Sequence, residues 1–157
     1  MKLVAEYRAA RQEENAARLR RGLALRALVA SGLSQREIAD RLGITQPAVS
    51  QQLKSAPPSS DVHPTELLDA ASPILVALAA EHGYRRLAVF GSVARREARA
   101  DSDIDLIVEA PPETSTFEFL LFKRLVEEVL GREVDLLEYG GLTPGLDDDI
   151  EREAVLL

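Results

Sequence analysis

A glycine-serine pair, Gly91-Ser92, is followed after ten residues by Asp103-Ile104-Asp105, and further along the chain by a lone acid, Asp135. In an extended strand residues i and i+2 project from the same face, so Asp103 and Asp105 present two carboxylates side by side while Ile104 faces the apolar side. Two such charges repel unless a cation lies between them, and a hard divalent ion such as Mg2+ prefers oxygen donors. Asp135 interrupts an otherwise apolar run, Val134-Asp135-Leu136-Leu137. A charge inside a strand is costly without a partner. If this strand neighbours the one carrying Asp105, Asp135 completes a three-carboxylate site. Gly91 lets a phosphate approach the backbone, and the following amides, the Ser92 hydroxyl and a helix N-terminus can bind an anion. A phosphate cradle beside carboxylate-held metals is the equipment of in-line phosphoryl or nucleotidyl transfer, with Asp135 helping to deprotonate the attacking hydroxyl.

The elements that must position these groups are legible in the second half of the chain. Arg85–Phe90 reads as a buried strand running straight into Gly91-Ser92, and Val93–Ala98 as a helical turn. Ile104–Glu109 and Val134–Glu138 read as further strands, with a helix over Thr116–Leu130 ended by Gly131. A helix over Thr65–His82, broken or kinked at Pro73, precedes them, and Thr143-Pro144 is expected to cap a final helix reaching Leu157. Strands alternating with helices imply an α/β or α+β unit around a small central sheet. Tyr139, just past the third strand, is a candidate for lining a nucleotide pocket or for self-modification. His63 is read as exposed and His82 as sitting at a helix C-terminus, where partial positive charge is favourable, neither with a catalytic role.

The first half is helical throughout. An Ala-, Leu-, Arg- and Glu-rich pattern runs from about Val4 to Ala30, with Gly22 a point of weakness in its continuity. Ser34-Gln35-Arg36-Glu37 is a capping box opening a helix that runs to Leu42, and Gly43 supplies a tight turn. A further helix opens at Thr45 with Pro47 in its first turn. Ile38, Leu42, Ile44, Val49 and Leu53 are expected to face inward. The stretch Leu33–Leu53, LSQREIADRLGITQPAVSQQL, resembles the helix-turn-helix of bacterial DNA-binding regulators. Thr45, Gln46, Ser50, Gln51 and Lys54 are then the exposed positions of its reading helix. Glutamine can bond adenine edges bidentately, and serine and lysine suit phosphates or bases. The same packing also serves small helical bundles used for protein contacts.

Charge divides the chain in the same way. Residues 1–56 carry ten Lys/Arg against five Asp/Glu, a net +5, whereas residues 57–157 carry nine against twenty-one, a net −12. A polyanion in front, and cations or a metal–nucleotide behind, are the partners this asymmetry suits. Pro57-Pro58-Ser59-Ser60-Asp61 has the composition of a linker. The expected organisation is a helix-turn-helix domain over 1–56, a linker over 57–64 and a transferase domain over 65–157. There are no cysteines, which excludes disulfides, thiolate zinc sites and cysteine nucleophiles. No apolar run approaches the roughly 20 residues that cross a bilayer, and the charged N-terminus lacks a secretion-signal pattern. A cytoplasmic protein without a membrane partner is expected.

Phe90-Gly91-Ser92-Val93-Ala94-Arg95 … Asp101-Ser102-Asp103-Ile104-Asp105-Leu106, with its G-S, ten residues, D-x-D spacing, resembles the minimal nucleotidyltransferases of the polymerase-β superfamily. The resemblance covers roughly residues 65–157 and implies a small mixed-sheet α+β transferase domain behind the all-α helix-turn-helix domain. One departure is Arg96, where the family often has glycine, which puts the shape of that loop in question. By residue match the resemblance implies that Gly91 and Ser92 hold a triphosphate and that Asp103 and Asp105 hold Mg2+. It makes Asp135 a third ligand or general base, and Arg95 a phosphate contact. It further implies an antitoxin that transfers AMP from ATP to a tyrosine hydroxyl of a HEPN-family ribonuclease toxin. The helix-turn-helix then adds operator binding, through a homodimer or a hetero-oligomer with the toxin. Two other functions fit the same residues. One is a transcriptional regulator whose transferase-like domain senses nucleotide or mediates oligomerisation without catalysis; the other is a neutraliser acting by steric binding alone.

Overall fold

The computed structural model describes residues 1–157. Its first element is a single helix, α1 (Lys2–Ala30), unbroken at Gly22. Gly22 is there for close approach: a Cβ at that position would stand 2.9 Å from the Cβ of Ala56. The predicted capping box is present. Ser34 Oγ accepts the Glu37 amide and the Glu37 carboxylate accepts the Ser34 amide at 2.8 Å, opening α2 (Gln35–Leu42). Gly43, left-handed at φ 67°, closes α2, and the Thr45 hydroxyl accepts the Ala48 amide to open α3 (Gln46–Ser55). Ile38, Ala39 and Val49 pack with Leu25 of α1 in a small core, against which Leu33 and Leu53 lean. Leu42 and Ile44, expected to point inward, are half exposed instead. Three helices around so small a core leave no interior for two more large side chains.

The second half follows as α4 (Pro64–Glu81), β1 (Arg85–Phe90), the one-turn α5 (Gly91–Ala94), β2 (Ile104–Glu109), α6 (Thr116–Leu130) and β3 (Val134–Glu138). Pro73 lies inside α4 without interrupting it. Ser115 and Glu118 form a second capping box, at the start of α6. The C-terminus departs from expectation. In place of one helix to Leu157 there are a short α7 (Asp148–Glu153) and a strand, β4 (Val155–Leu156). The free edge of β1 decides this. Val89 and Ala88 pair with Val155 and Leu156, and the Leu157 amide donates to the Leu87 carbonyl at 3.0 Å. Edge amides and carbonyls that would otherwise lack partners outweigh a marginal helical preference.

The resulting α+β sheet has the order β3-β2-β1-β4, with β2 antiparallel to β1 and parallel to β3. Its apolar face carries Ile104, Leu106, Val108, Val134 and Leu136, covered by Leu67, Leu68, Ala71 and Leu75 of α4 and by Phe122, Val126 and Val129 of α6. Leu19, Leu23 and Ala27 of α1 belong to this same core, while Leu25, on another face of α1, belongs to the helix-turn-helix. One helix therefore builds both halves. The segment between them is fastened as well: the Arg26 guanidinium donates to Ser59 Oγ and, at 3.1 Å, to the Pro57 carbonyl, and Ser59 is buried. No helix is long and apolar enough to cross a membrane.

Candidate active site

Three strands laid side by side bring the chemistry into one row. Phe90, the last residue of β1, is the register partner of Asp105 in β2, and Asp105 is the register partner of Asp135 in β3. Adjacent strands lie about 4.8 Å apart, so the Gly91 turn, Asp105 and Asp135 occupy neighbouring positions at one end of the sheet. Asp103, just outside the strand, lines a cavity together with Asp135. Asp103 and Asp135 are exposed and Asp105 is half-buried, while Ile104 between the first two carboxylates is fully buried.

Gly91 is required here on two counts. Its backbone is left-handed, φ 68°, and a Cβ would collide with Asp105 Oδ2 and stand 3.1 Å from Asp105 Cγ. The turn thus presses against the central carboxylate with no side chain between them. α5 is a single turn, bonded Arg95 amide to Gly91 carbonyl at 3.1 Å and Glu97 amide to Ser92 carbonyl at 2.9 Å. A single turn carries no long helix dipole, so what this corner could offer an anion is its local amides and the half-buried Ser92.

Asp105 shows the electrostatic cost of the arrangement. Burial first, then the facing Asp135 and the nearby Asp103, push its carboxyl up to about 6, and Arg95 only partly offsets them. As they stand, no three carboxylate or imidazole groups converge closely enough to form a ready-made metal cage. Asp105 and Asp135 instead face one another. The donor set is all oxygen, the chemistry a hard divalent cation prefers.

Arg95 stands where the sequence expects it but is occupied. Its Nε donates to Glu97 at 3.2 Å and its Nη1 to Glu153 of α7 at 3.0 Å. Glu153, distant in sequence, carried no signal of this role. Arg96, the departure from the family pattern, adopts φ 60°, the left-handed region that glycine occupies readily. Tyr139 lies four residues past Asp135, about 13 Å along the strand, with the Arg86 guanidinium 4.1 Å over its ring. It lines no part of the carboxylate row. His63 is exposed, as expected, yet its Nδ1 accepts the Thr65 amide at 3.2 Å and its Nε2 lies 3.1 Å from the Ala98 carbonyl, tying α4 to the loop after α5.

A cavity of about 320 Å3 opens beside the acids, lined by Asp103, Lys123, Glu127, Glu133, Val134 and Asp135. Lys123 is its sole cation, and nothing in the sequence around it marks it out. A larger groove of about 760 Å3 lies elsewhere, between α1 and α4. In the helix-turn-helix, Thr45, Gln46, Gln51 and Lys54 are exposed and Ser50 is half-buried. The Thr45 hydroxyl caps α3, which leaves the glutamines and Lys54 the freer donors.

Comparison with known proteins identifies the family. The nucleotidyltransferase domain family matches residues 74–157 and the MarR family matches residues 19–56. A Methanocaldococcus jannaschii protein described as a candidate protein adenylyltransferase is 42% identical over 81 residues, covering 52% of this chain and 87% of that protein. The protein adenylyltransferase MntA of Thermococcus cleftensis is 37% identical over 73 residues, 46% of this chain and 74% of that one. A solved structure described as a candidate minimal nucleotidyltransferase superposes with a TM-score of 0.54 at 41% identity, covering 59% of this chain and 95% of that one. The chain belongs to the nucleotidyltransferase domain family, with a MarR-like helix-turn-helix region ahead of the transferase fold.

Proposed function

We propose that this protein is a metal-dependent protein adenylyltransferase that acts as an antitoxin, transferring AMP from Mg-ATP to a tyrosine hydroxyl of a HEPN-family ribonuclease toxin. The observation that carries the proposal is the register of Asp105 with Asp135 beside the Gly91 turn. The names of the two archaeal relatives support the adenylyl donor and a protein acceptor. Gly91 and Ser92 hold the triphosphate tail; Asp103, Asp105 and Asp135 are the ligands that would hold Mg2+. When bound, Mg2+ supplies neutralisation of charge on the α-phosphate and the leaving pyrophosphate. Asp135, exposed where Asp105 is half-buried, receives the proton of the attacking hydroxyl. The helix-turn-helix binds operator DNA through Gln46, Ser50, Gln51 and Lys54, with Thr45 shaping the start of the helix.

The test is incubation of the full chain with α-labelled ATP, Mg2+ and a HEPN-type protein carrying an R-x(4–6)-H motif. Label is expected on the partner, and is expected to vanish with Asp103→Asn or Asp105→Asn while the fold is retained. A second function draws on α1 belonging to both cores: a nucleotide-sensing transcriptional regulator. Under it ATP with Mg2+ changes DNA affinity and no covalent product appears.

A further inference from the structure

Glu127 Oε1 accepts the Val134 amide at 3.0 Å, which pins α6 to the start of the strand carrying Asp135. Lys123, one helical turn earlier on α6, is thereby held over the same strand end. It lines the cavity shared with Asp103 and Asp135 and is half-buried there. Four carboxylates share that lining, yet none of the ion pairs in the chain involves Lys123. Arg95, the cation expected to meet phosphate, has its Nε bonded to Glu97 and its Nη1 to Glu153.

Sheet order decides which phosphate each group can reach. The Gly91-Ser92 turn ends β1, Asp105 lies on the central β2, and the Lys123 cavity opens beyond β2 at β3. The cavity takes in Asp103 and Asp135 but not Asp105, Gly91 or Ser92, so with the triphosphate tail on the Gly-Ser flank Lys123 lies at the far, β3 end of the carboxylate row. The geometry points to Lys123 as a phosphate-contacting residue that grips the α-phosphate, a role resting on the transferase function proposed above. In the step it serves, the acceptor oxygen bonds to the α-phosphorus as the bond to the pyrophosphate oxygen breaks. The pyrophosphate leaves with the electron pair, and the acceptor proton passes to a carboxylate. Lys123 exchanges no proton in this step and supplies only positive charge.

Binding to the full chain separates the possibilities, with AMP, inorganic pyrophosphate and a non-hydrolysable ATP analogue as probes, each with Mg2+. Lys123→Met keeps the alkyl stem and removes the charge. It is expected to weaken AMP and the analogue about tenfold while pyrophosphate binding stays within twofold and the melting temperature holds. Lys123→Gln is expected to give the same pattern, and Lys123→Arg to restore AMP binding to within about threefold. Unchanged AMP affinity in Lys123→Met and Lys123→Gln, or weakening of pyrophosphate alone, overturns the assignment. Failure of the unaltered chain to bind any of the three probes overturns the transferase function itself.

Discussion

Asp105 and Asp135 are paired in register across the parallel strands β2 and β3, and the Asp105 carboxyl is pushed up to about 6 by burial and by Asp135. A structure that only needed a stable sheet would have no use for this pair. Charge repulsion at adjacent strand positions lowers stability, and its presence beside a glycine turn that touches the same carboxylate points to a site built for a cationic ligand.

The sign of the pH dependence follows from that shift. The folded value, about 6, lies above the ordinary 3.8, so the folded chain binds the extra proton. The stabilisation is full below about 4 and is lost as pH rises through about 6. In metal-free buffer, the stability of the unaltered chain minus that of Asp105→Asn is expected to fall between pH 4 and 7, measured by urea unfolding. A flat difference across that range contradicts the raised Asp105 carboxyl. Mg2+ is expected to raise the melting temperature more at pH 7.5 than at pH 5, because only the ionised pair binds it well.

Gly91→Ala is expected to cost more than about 2 kcal/mol, since it combines a left-handed backbone with a collision against Asp105. Thermal unfolding measures the loss, and label transfer should fall with it. A variant as stable as the parent would show that the turn and Asp105 are not in contact.

Arg96→Gly is expected to act in the opposite direction. Relief of the left-handed conformation at φ 60° is worth roughly 0.5–1 kcal/mol, and the exposed ion pair to Asp69 at 3.2 Å contributes little. A rise in melting temperature is the expected result; a fall would mean that the Asp69 pair matters more than the backbone.

Leu23→Ala tests whether the two halves unfold together. Leu23 is fully buried in the core shared by α1, α4 and α6, so its truncation should cost about 3 kcal/mol. Because α1 also carries Leu25 into the helix-turn-helix core, one cooperative transition is expected to shift. Two separated transitions by circular dichroism would show that α1 does not couple the halves.

Features governed by neighbours in sequence were legible without the structure. The capping box at Ser34, the turn at Gly43, the helix Thr116–Leu130 and the strands Ile104–Glu109 and Val134–Glu138 all lie where local rules put them. Side-chain alternation likewise accounts for Ile104 being buried while Asp105 beside it is not. Tertiary structure decided what depends on partners far along the chain. Val155–Leu156 became a strand because β1 had an open edge, and Leu42 and Ile44 stayed exposed because the small core was already full. Arg95 was claimed by Glu153, and Lys123 was brought to the acids by the bond from Val134 to Glu127. Capping, turns and alternation are set within a few residues by backbone sterics and hydrogen bonds, whereas burial, edge pairing and long-range ion pairs exist only once the whole chain has packed.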